Sequence, residues 1–431
     1  MLAQRSRRSP FWVRWFQPWR DLDPFLFWVP ILLTGLGGIL IRSTELHHGW
    51  TDWSQHWVIG AVGIGLVLFL SRIDYKALLY FHWMIYGVTC LSLLTVQFIG
   101  TSALGAQSWI TILGFNIQPS EFAKVGVIIS LAALLHHAPA NTIFRVLKIL
   151  LITALPWALV LIQPDLGTSL VFGAVTLAML YWGGTHGGWI ILMLSPLISA
   201  IALNIPLPTA LSVAFWIGWT LSMGLVAWFT LPNRWVSAIL SMGVNLSAAT
   251  LGHILWGLLR DHQRDRITLF LDPDKDPLGG GYHLIQSRIA IGAGKLFGKG
   301  LNHGTQTQLN FIPEQHTDFI FSAVGEELGF VGCILLLLGF WVVCVRLIKV
   351  ANSASDNFGA LICIGICAMV SFQTVVNIGM TIGLAPITGI PLPWLSYGRS
   401  ALLTNFIAIG IAEAIAAQSK PPLHPYASGR R

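Results

Sequence analysis

The stretch FIPEQHTDFIFSAVGEELG (311–329) gathers Glu314, His316, Asp318, Glu326 and Glu327 in a chain that is only 10% charged. Asp318, Ser322 and Glu326 recur every fourth residue, so a helix carries them on one face, with Glu326 ~12 Å below Asp318 at ~1.5 Å per residue. A carboxylate at the lip of a cavity is suited to general-base work, taking a proton from a hydroxyl as its oxygen attacks. Asp318 stands nearest the start of that helix, after Glu314 and His316. Glu326 and Glu327 lie deeper in the same helix, with no role evident from sequence.

QPSEFAK (118–124) adds Glu121 and Lys124, three residues apart and well inside an apolar segment. Ionisable groups within a membrane span are costly and face a polar cavity or one another. Two readings stand: a self-satisfied ion pair, or a Lys124 that faces an anionic group in a cavity. In QPDLGTS (163–169), Asp165 is placed either to cap backbone N–H groups or to serve the same site.

These residues need elements to hold them. Apolar runs predict twelve helices, at 25–41, 57–70, 78–99, 119–136, 144–162, 166–182, 189–204, 211–230, 235–258, 319–347, 359–382 and 400–417. Several reach the ~20 residues that cross a bilayer. With the N-terminus inside, fifteen Lys and Arg fall on inner segments and nine outside, seven of those nine in the long loop 259–318. This positive-inside bias sets both termini in the cytoplasm. Even-numbered helices then start at the outer face, and QPSEFAK, QPDLGTS, HTDFIF (316–321) and PLPWLSYGRS (391–400) all lie at such starts. Four motifs distant in sequence are thereby predicted to meet on one side of the membrane.

Composition supports an all-α polytopic membrane protein: 55% of residues are hydrophobic. The net charge of +7 reads as membrane topology, because the basic residues flank apolar segments; nucleic acid is not an expected partner. Cys90, Cys333, Cys344, Cys363 and Cys367 all fall in apolar runs without a CxxC, which suggests packing. Residues 1–24 form a cytoplasmic and interfacial segment, with Trp12, Trp15, Trp19, Arg14 and Arg20 placed for membrane lipid headgroups. The membrane domain covers 25–418, and 419–431 read as a cytoplasmic tail. DPDKDP (272–277) lacks the Gly and Glu of a calcium loop and reads as a turn; GAGKLFGKG (292–300) lacks the GK[ST] of a phosphate loop. LIQSRIAIGAGKLFG (284–298) is predicted to form a short interfacial helix.

DPLGGGYHLIQSRIAIGAGKLFGKGLNHGTQTQLNFIPEQHTDFIFSAVGEELGFVG (276–332) closely resembles the RodA branch of the SEDS family (shape, elongation, division and sporulation). QPSEFAK, QPDLGTS, VNIGM (376–380) and GIPLPWLSYGRSALL (389–403) match in the same order. The large loop favours RodA over the division branch, FtsW. The resemblance implies a peptidoglycan glycosyltransferase that polymerises lipid II outside the plasma membrane during elongation, alongside a class B penicillin-binding transpeptidase and the elongation machinery. It places the family's catalytic aspartate on Asp318. Candidate substrate-binding residues are then Trp109, Glu121, Lys124, Asp165, Glu314, His316, Ser396, Tyr397 and Arg399. An α-linked donor giving a β-linked chain requires inversion in one displacement, for which one base suffices. The departing pyrophosphate needs positive charge, from Lys124, Arg399 or a divalent cation such as Mg or Mn; no cofactor is required by the sequence.

The chain departs from the family in three places. SYGRS carries Arg399 where the family has a glycine, and Ser108 stands where a basic residue is common. Arg399 is expected to replace that lost charge. The family core has ten helices, so 205–258 reads as an inserted pair, and an even insertion keeps Asp318 outside. Two other functions remain open at this stage: a lipid II flippase, which would spread polar residues to the midplane and inner half, or a non-catalytic scaffold, which would tolerate loss of Asp318.

Overall fold

The computed structural model describes residues 22–45, 52–103, 106–112, 115–163, 165–204, 209–258, 270, 276, 281–309, 311–312 and 314–419. Phe11–Arg20, the tail from Lys420, and DPDKDP apart from Asp276 lie outside these residues. Each of the twelve predicted runs is helical, with 78–99 divided into two helices at Phe81 and 319–347 broken at Gly329. In chain order the elements begin with α1 (Pro24–Glu45), α2 (Asp52–Leu70), the short α3 (Ala77–Tyr80) and α4 (His82–Ile99). Strands β1 (Thr101–Ala103), β2 (Ala106–Ile112) and β3 (Phe115–Ile117) follow, then α5 (Pro119–His137), α6 (Ile143–Ile162) and α7 (Leu166–Trp182). Next come α8 (Gly187–Asn204), α9 (Thr209–Thr230), α10 (Arg234–Leu258), α11 (Tyr282–Ala293) and the short α12 (Thr305–Gln308). The last three are α13 (Ile320–Ser353), α14 (Asn357–Ile382) and α15 (Arg399–Ser419).

Ten of these helices are long and apolar enough to cross a membrane, and two apolar stretches, Leu166–Trp182 and Gly187–Ile201, are shorter. Large apolar side chains such as Leu32, Phe69, Phe98 and Leu151 are exposed along them, as lipid-facing surfaces are. The chain is an integral membrane protein. α2 starts five residues before its predicted run, at Asp52, whose charge complements the helix N-terminus. The helical reading gains one addition, an antiparallel sheet in the order β1-β2-β3, in which Trp109 pairs with Thr101 and Ile110 with Ile117.

Two compact units are present. The first comprises residues 1–137, 149–179 and 282–431, and the second 138–148 and 180–281. In the first, α5, α14 and α15 are the central helices, buried over 83%, 72% and 83% of their apolar windows. These three helices carry Lys124, Asn377 and Ser400, so the polar residues ride on the most rigidly packed elements. The second unit holds α8, α9 and α10. Asn245 donates to Ser195 Oγ (3.0 Å), Ser199 to the Asn245 carbonyl (2.8 Å) and Trp216 Nε1 to Ser199 Oγ (2.9 Å). Such small-residue hydrogen bonds join helices where lipid offers no hydrophobic drive.

α13 has 34 residues, ~51 Å at the helical rise, and is broken at Gly329 (φ 67°, ψ −166°). The break frees backbone groups, and residues 292–300 satisfy them. Lys299 and Gly300 N–H donate to the Glu326 and Glu327 carbonyls, and Phe330 and Val331 N–H to those of Lys295 and Leu296, all at 2.9–3.0 Å. A Cβ at Gly294 would lie 1.8 Å from the Gly325 carbonyl oxygen, and one at Gly298 (φ 77°) 2.1 Å from that of Glu327. The glycines of GAGKLFGKG thus let backbone meet backbone. α11 covers the predicted short helix but ends at Ala293, where this cradle begins.

Candidate functional site

The starts of α5, α7, α13 and α15 converge within the first unit. Gln118 N–H donates to Ser400 Oγ at 2.9 Å, tying α5 to α15. Gln118 Nε2 and Ser120 Oγ both donate to Asp165 Oδ2 at 3.1 Å, while Asp165 Oδ1 accepts the Thr168 N–H at 3.0 Å. Asp165 is therefore a cap and a cross-link at once. Beneath it lies a polar cavity of about 30 Å³, lined by Gln118, Glu121, Lys124, Asp165, Gly389 and Ile390 among others. Lys124 Nζ sits 2.7 Å from Glu121 Oε2, with the two residues 2% and 3% exposed. The ion-pair reading of Lys124 describes this arrangement, and Lys124 also lines the cavity.

Asp318 approaches Gly389, a residue of the cavity lining. Its Oδ2 is 3.5 Å from the point where a Cβ on Gly389 (φ 71°) would stand. Its N–H donates to the Glu314 carbonyl (3.1 Å), and its carbonyl accepts from Asn377 Nδ2 (2.8 Å). The same Asn377 nitrogen donates to the Ile390 carbonyl at 2.8 Å. Gly389 thus has both the Asp318 carboxylate and the Lys124 cavity as neighbours.

A second group forms beside it. His316 Nε2 lies 3.8 Å from Asp52 Oδ2, and its ring is 5.7 Å from that of Tyr397, whose N–H donates to the His316 carbonyl at 2.8 Å. Arg399 Nε donates to Tyr397 Oη (3.1 Å), which donates to Gln55 Oε1 (3.2 Å). Burial pushes His316 below the usual imidazole pKa, against the opposing charges of Glu314 and Asp52. Burial likewise lowers His283, opposed by Glu314. The Tyr397 phenol is raised by burial, with Arg399 acting the other way.

The other expected residues have separate places. Glu314 is exposed at φ 53°, and its carboxylate accepts from Thr317 Oγ1 at 3.2 Å. Ser396 closes its own turn, accepting the Leu392 N–H at 2.8 Å. Trp109 is half-buried on β2 and is not among the residues lining the cavity. Arg399 is held by Tyr397 rather than in the cavity wall, and the Ser108 side chain lies outside those described.

Glu326 and Glu327 acquire a structural explanation. Glu326 is fully buried and accepts from Lys299 Nζ (2.8 Å), Thr305 Oγ1 (3.2 Å), Gln306 N (3.0 Å), Thr307 N (2.9 Å) and Thr307 Oγ1 (2.6 Å). Glu327 accepts from Ser43 Oγ, and Gln308 Nε2 donates to the Ser43 carbonyl at 3.0 Å. The two acids tether segment 299–308 to α1 and α13. Asp52, Gln55 and Asn377 escape sequence reasoning. Asp52 and Gln55 had a signal in the polar TDWSQHW before an apolar run; Asn377 had only the VNIGM match.

Among the described residues, no three His, Cys, Asp or Glu side chains are grouped to hold a metal. A separate cavity of about 400 Å³ is apolar and lined by Leu70, Tyr75, Met84, Val88, Ile129 and Ile411 among others. At the start of α1, Asp23 pairs with Arg346, and its N–H donates to Glu413 Oε2 at 2.8 Å.

The family model described as FTSW_RODA_SPOVE, cell cycle protein, matches residues 25–212 and 197–421. The chain is 33% identical to peptidoglycan glycosyltransferase RodA of Treponema pallidum, over 92% of this chain and 98% of that one. It is 32% identical to peptidoglycan glycosyltransferase MrdB of Escherichia coli K12, over 96% and 97%. A probable peptidoglycan glycosyltransferase FtsW from Trichlorobacter lovleyi is 31% identical over 93% and 94%. Among solved structures, a chain of a peptidoglycan synthase complex that coordinates polymerization and crosslinking superposes with a TM-score of 0.70 at 25% identity, covering 92% of this chain and 98% of that one. Thermus thermophilus rod shape determining protein RodA shares the fold, with a TM-score of 0.60 at 22% identity over 92% and 97%. The described helices, the convergent polar site and these matches together establish that the chain belongs to the FtsW/RodA/SpoVE family, the SEDS family of the sequence resemblance.

Proposed function

We propose that this chain is a peptidoglycan glycosyltransferase of the elongation type that polymerises lipid II, with Asp318 as general base. The observation that carries this reading is the placement of the Asp318 carboxylate against Gly389, the residue that also lines the Lys124 cavity. A base and a cation so placed suit a reaction in which one oxygen loses a proton and another gains negative charge.

Asp318 accepts the proton of the acceptor sugar hydroxyl as its oxygen bonds to the donor's anomeric carbon. The bond from that carbon to the lipid pyrophosphate breaks, and its electron pair leaves with the pyrophosphate. Lys124 stabilises that charge in a water-poor site. Glu121 and Asp165 hold two negative charges near the single Lys124, so the departing anion needs more cation. Arg399, beside Tyr397, is one source, and a divalent cation such as Mg or Mn carried on the substrate's phosphates would be another. The lipid tail requires a site among membrane helices. The active face is extracytoplasmic, the termini are cytoplasmic, the membrane is the plasma membrane, and the partner is a class B penicillin-binding transpeptidase of the elongation machinery. The named complex among the structural neighbours supports that pairing. The test is labelled lipid II added to the purified chain, with its transpeptidase where activity requires it. A β-linked polymer and released lipid pyrophosphate are expected; intact lipid II carried across vesicles without polymer would contradict the reading.

A further inference from the structure

We infer that Asn377 is a positioning residue for Asp318, setting the base at its working distance from the Lys124 wall; this rests on the function proposed above. Asn377 is fully buried on α14, one of the three central helices. Its amide nitrogen has two N–H groups, and both are used. One reaches the Asp318 carbonyl and the other the Ile390 carbonyl, each at 2.8 Å. Because both partners are carbonyl acceptors, the nitrogen must face them, which fixes the orientation of the amide.

The two carbonyls belong to the two segments whose spacing matters. One carries the candidate base. The other follows Gly389, which lines the cavity and has Asp318 Oδ2 3.5 Å from where its Cβ would stand. The same segment packs closely on α7, since a Cβ at Gly167 would lie 2.7 Å from the Thr388 carbonyl oxygen and 2.9 Å from Ile390 Cγ1. Residues 388–390 are thus held by α7 and, through Asn377, tied to the backbone of Asp318. Asn377 itself stays off the reacting atoms: it holds the backbone of Asp318 and is not among the residues lining the cavity. Remove its two donors, and the base and the wall each keep their chemistry but lose a shared reference.

Asn377→Leu keeps the branching and heavy-atom count without donors, and Asn377→Ser keeps one donor in a smaller side chain. Polymerisation of labelled lipid II by purified full-length protein gives kcat and KM separately. A misplacement of the order of 1 Å costs about 10²-fold in rate. The expected result is a kcat lowered about 10- to 100-fold in Asn377→Leu, KM changed by less than about threefold, and partial recovery in Asn377→Ser. Wild-type kcat in Asn377→Leu, a change confined to KM, no recovery in Asn377→Ser, or failure of both Asn377 variants to fold would each overturn the inference. Polymer formation by Asp318→Asn alone would instead overturn the assignment of the base, so the two failures are distinguishable.

Discussion

Replacing Lys124 by methionine separates what the Lys124–Glu121 pair does for the fold from what it does for chemistry. At 2.7 Å and an effective dielectric of ~20, the attraction between the charges is about 6 kcal/mol, and desolvation of the two groups opposes it. The single substitution leaves the Glu121 carboxylate buried and unpaired, which costs about 3–5 kcal/mol. In Lys124→Met/Glu121→Gln, neither charge remains, so most of that loss should return. Catalysis should not return, because the cation that faces the leaving group is gone. Thermal unfolding of detergent-purified variants should therefore rank the single variant several degrees below both wild type and double variant. Lipid II polymerisation should be lost in both. Equal unfolding temperatures for single and double variants would refute the buried pair; an active double variant would refute the role of Lys124.

Other outcomes follow from the same geometry. His316 is held neutral by burial, so its folded pKa lies below that of the unfolded chain. As pH falls below about 6.5, the unfolded state binds the proton first and stability is lost; His316→Asn should flatten the fall in unfolding temperature between about pH 6.5 and 5. Gly294→Ala or Gly298→Ala would drive a Cβ into the carbonyls of Gly325 or Glu327, and membrane expression of folded protein should collapse. Glu326→Gln withdraws a buried carboxylate from the Gln306 and Thr307 N–H groups and from Lys299, costing about 3 kcal/mol. Its measurable sign is faster proteolysis around Lys299.

The membrane fold was legible because each helix carries its own signal: an apolar run long enough to span is also a helix. The convergence of the site was legible too, since an even count of crossings brings Gln118, Asp165, Asp318 and Ser400 to one side. Pairing was harder to read. Glu326 finds its donors 19–27 residues back in sequence, and Glu327 finds Ser43 at a separation of 284. Spacing along one helix predicted that Asp318 and Glu326 would share a face, but the break at Gly329 and the glycine cradle decide what Glu326 meets. The β1-β2-β3 sheet was invisible for a different reason: β1 and β3, at three residues each, are too short to show period-two alternation, and the seven residues of β2, AQSWITI, do not alternate cleanly. Asn377 was hidden because a lone asparagine in an apolar helix has no pattern; its role lies entirely in the two carbonyls it reaches.

The central claim is that a single carboxylate, Asp318, takes the proton in glycan polymerisation. Asp318→Asn keeps the side chain's size and its backbone bonds to Glu314 and Asn377 while removing the basic oxygen. Measured with labelled lipid II beside wild type, and with matched unfolding temperature as proof of folding, this variant should form no polymer. Polymer at a rate near that of wild type would contradict the account.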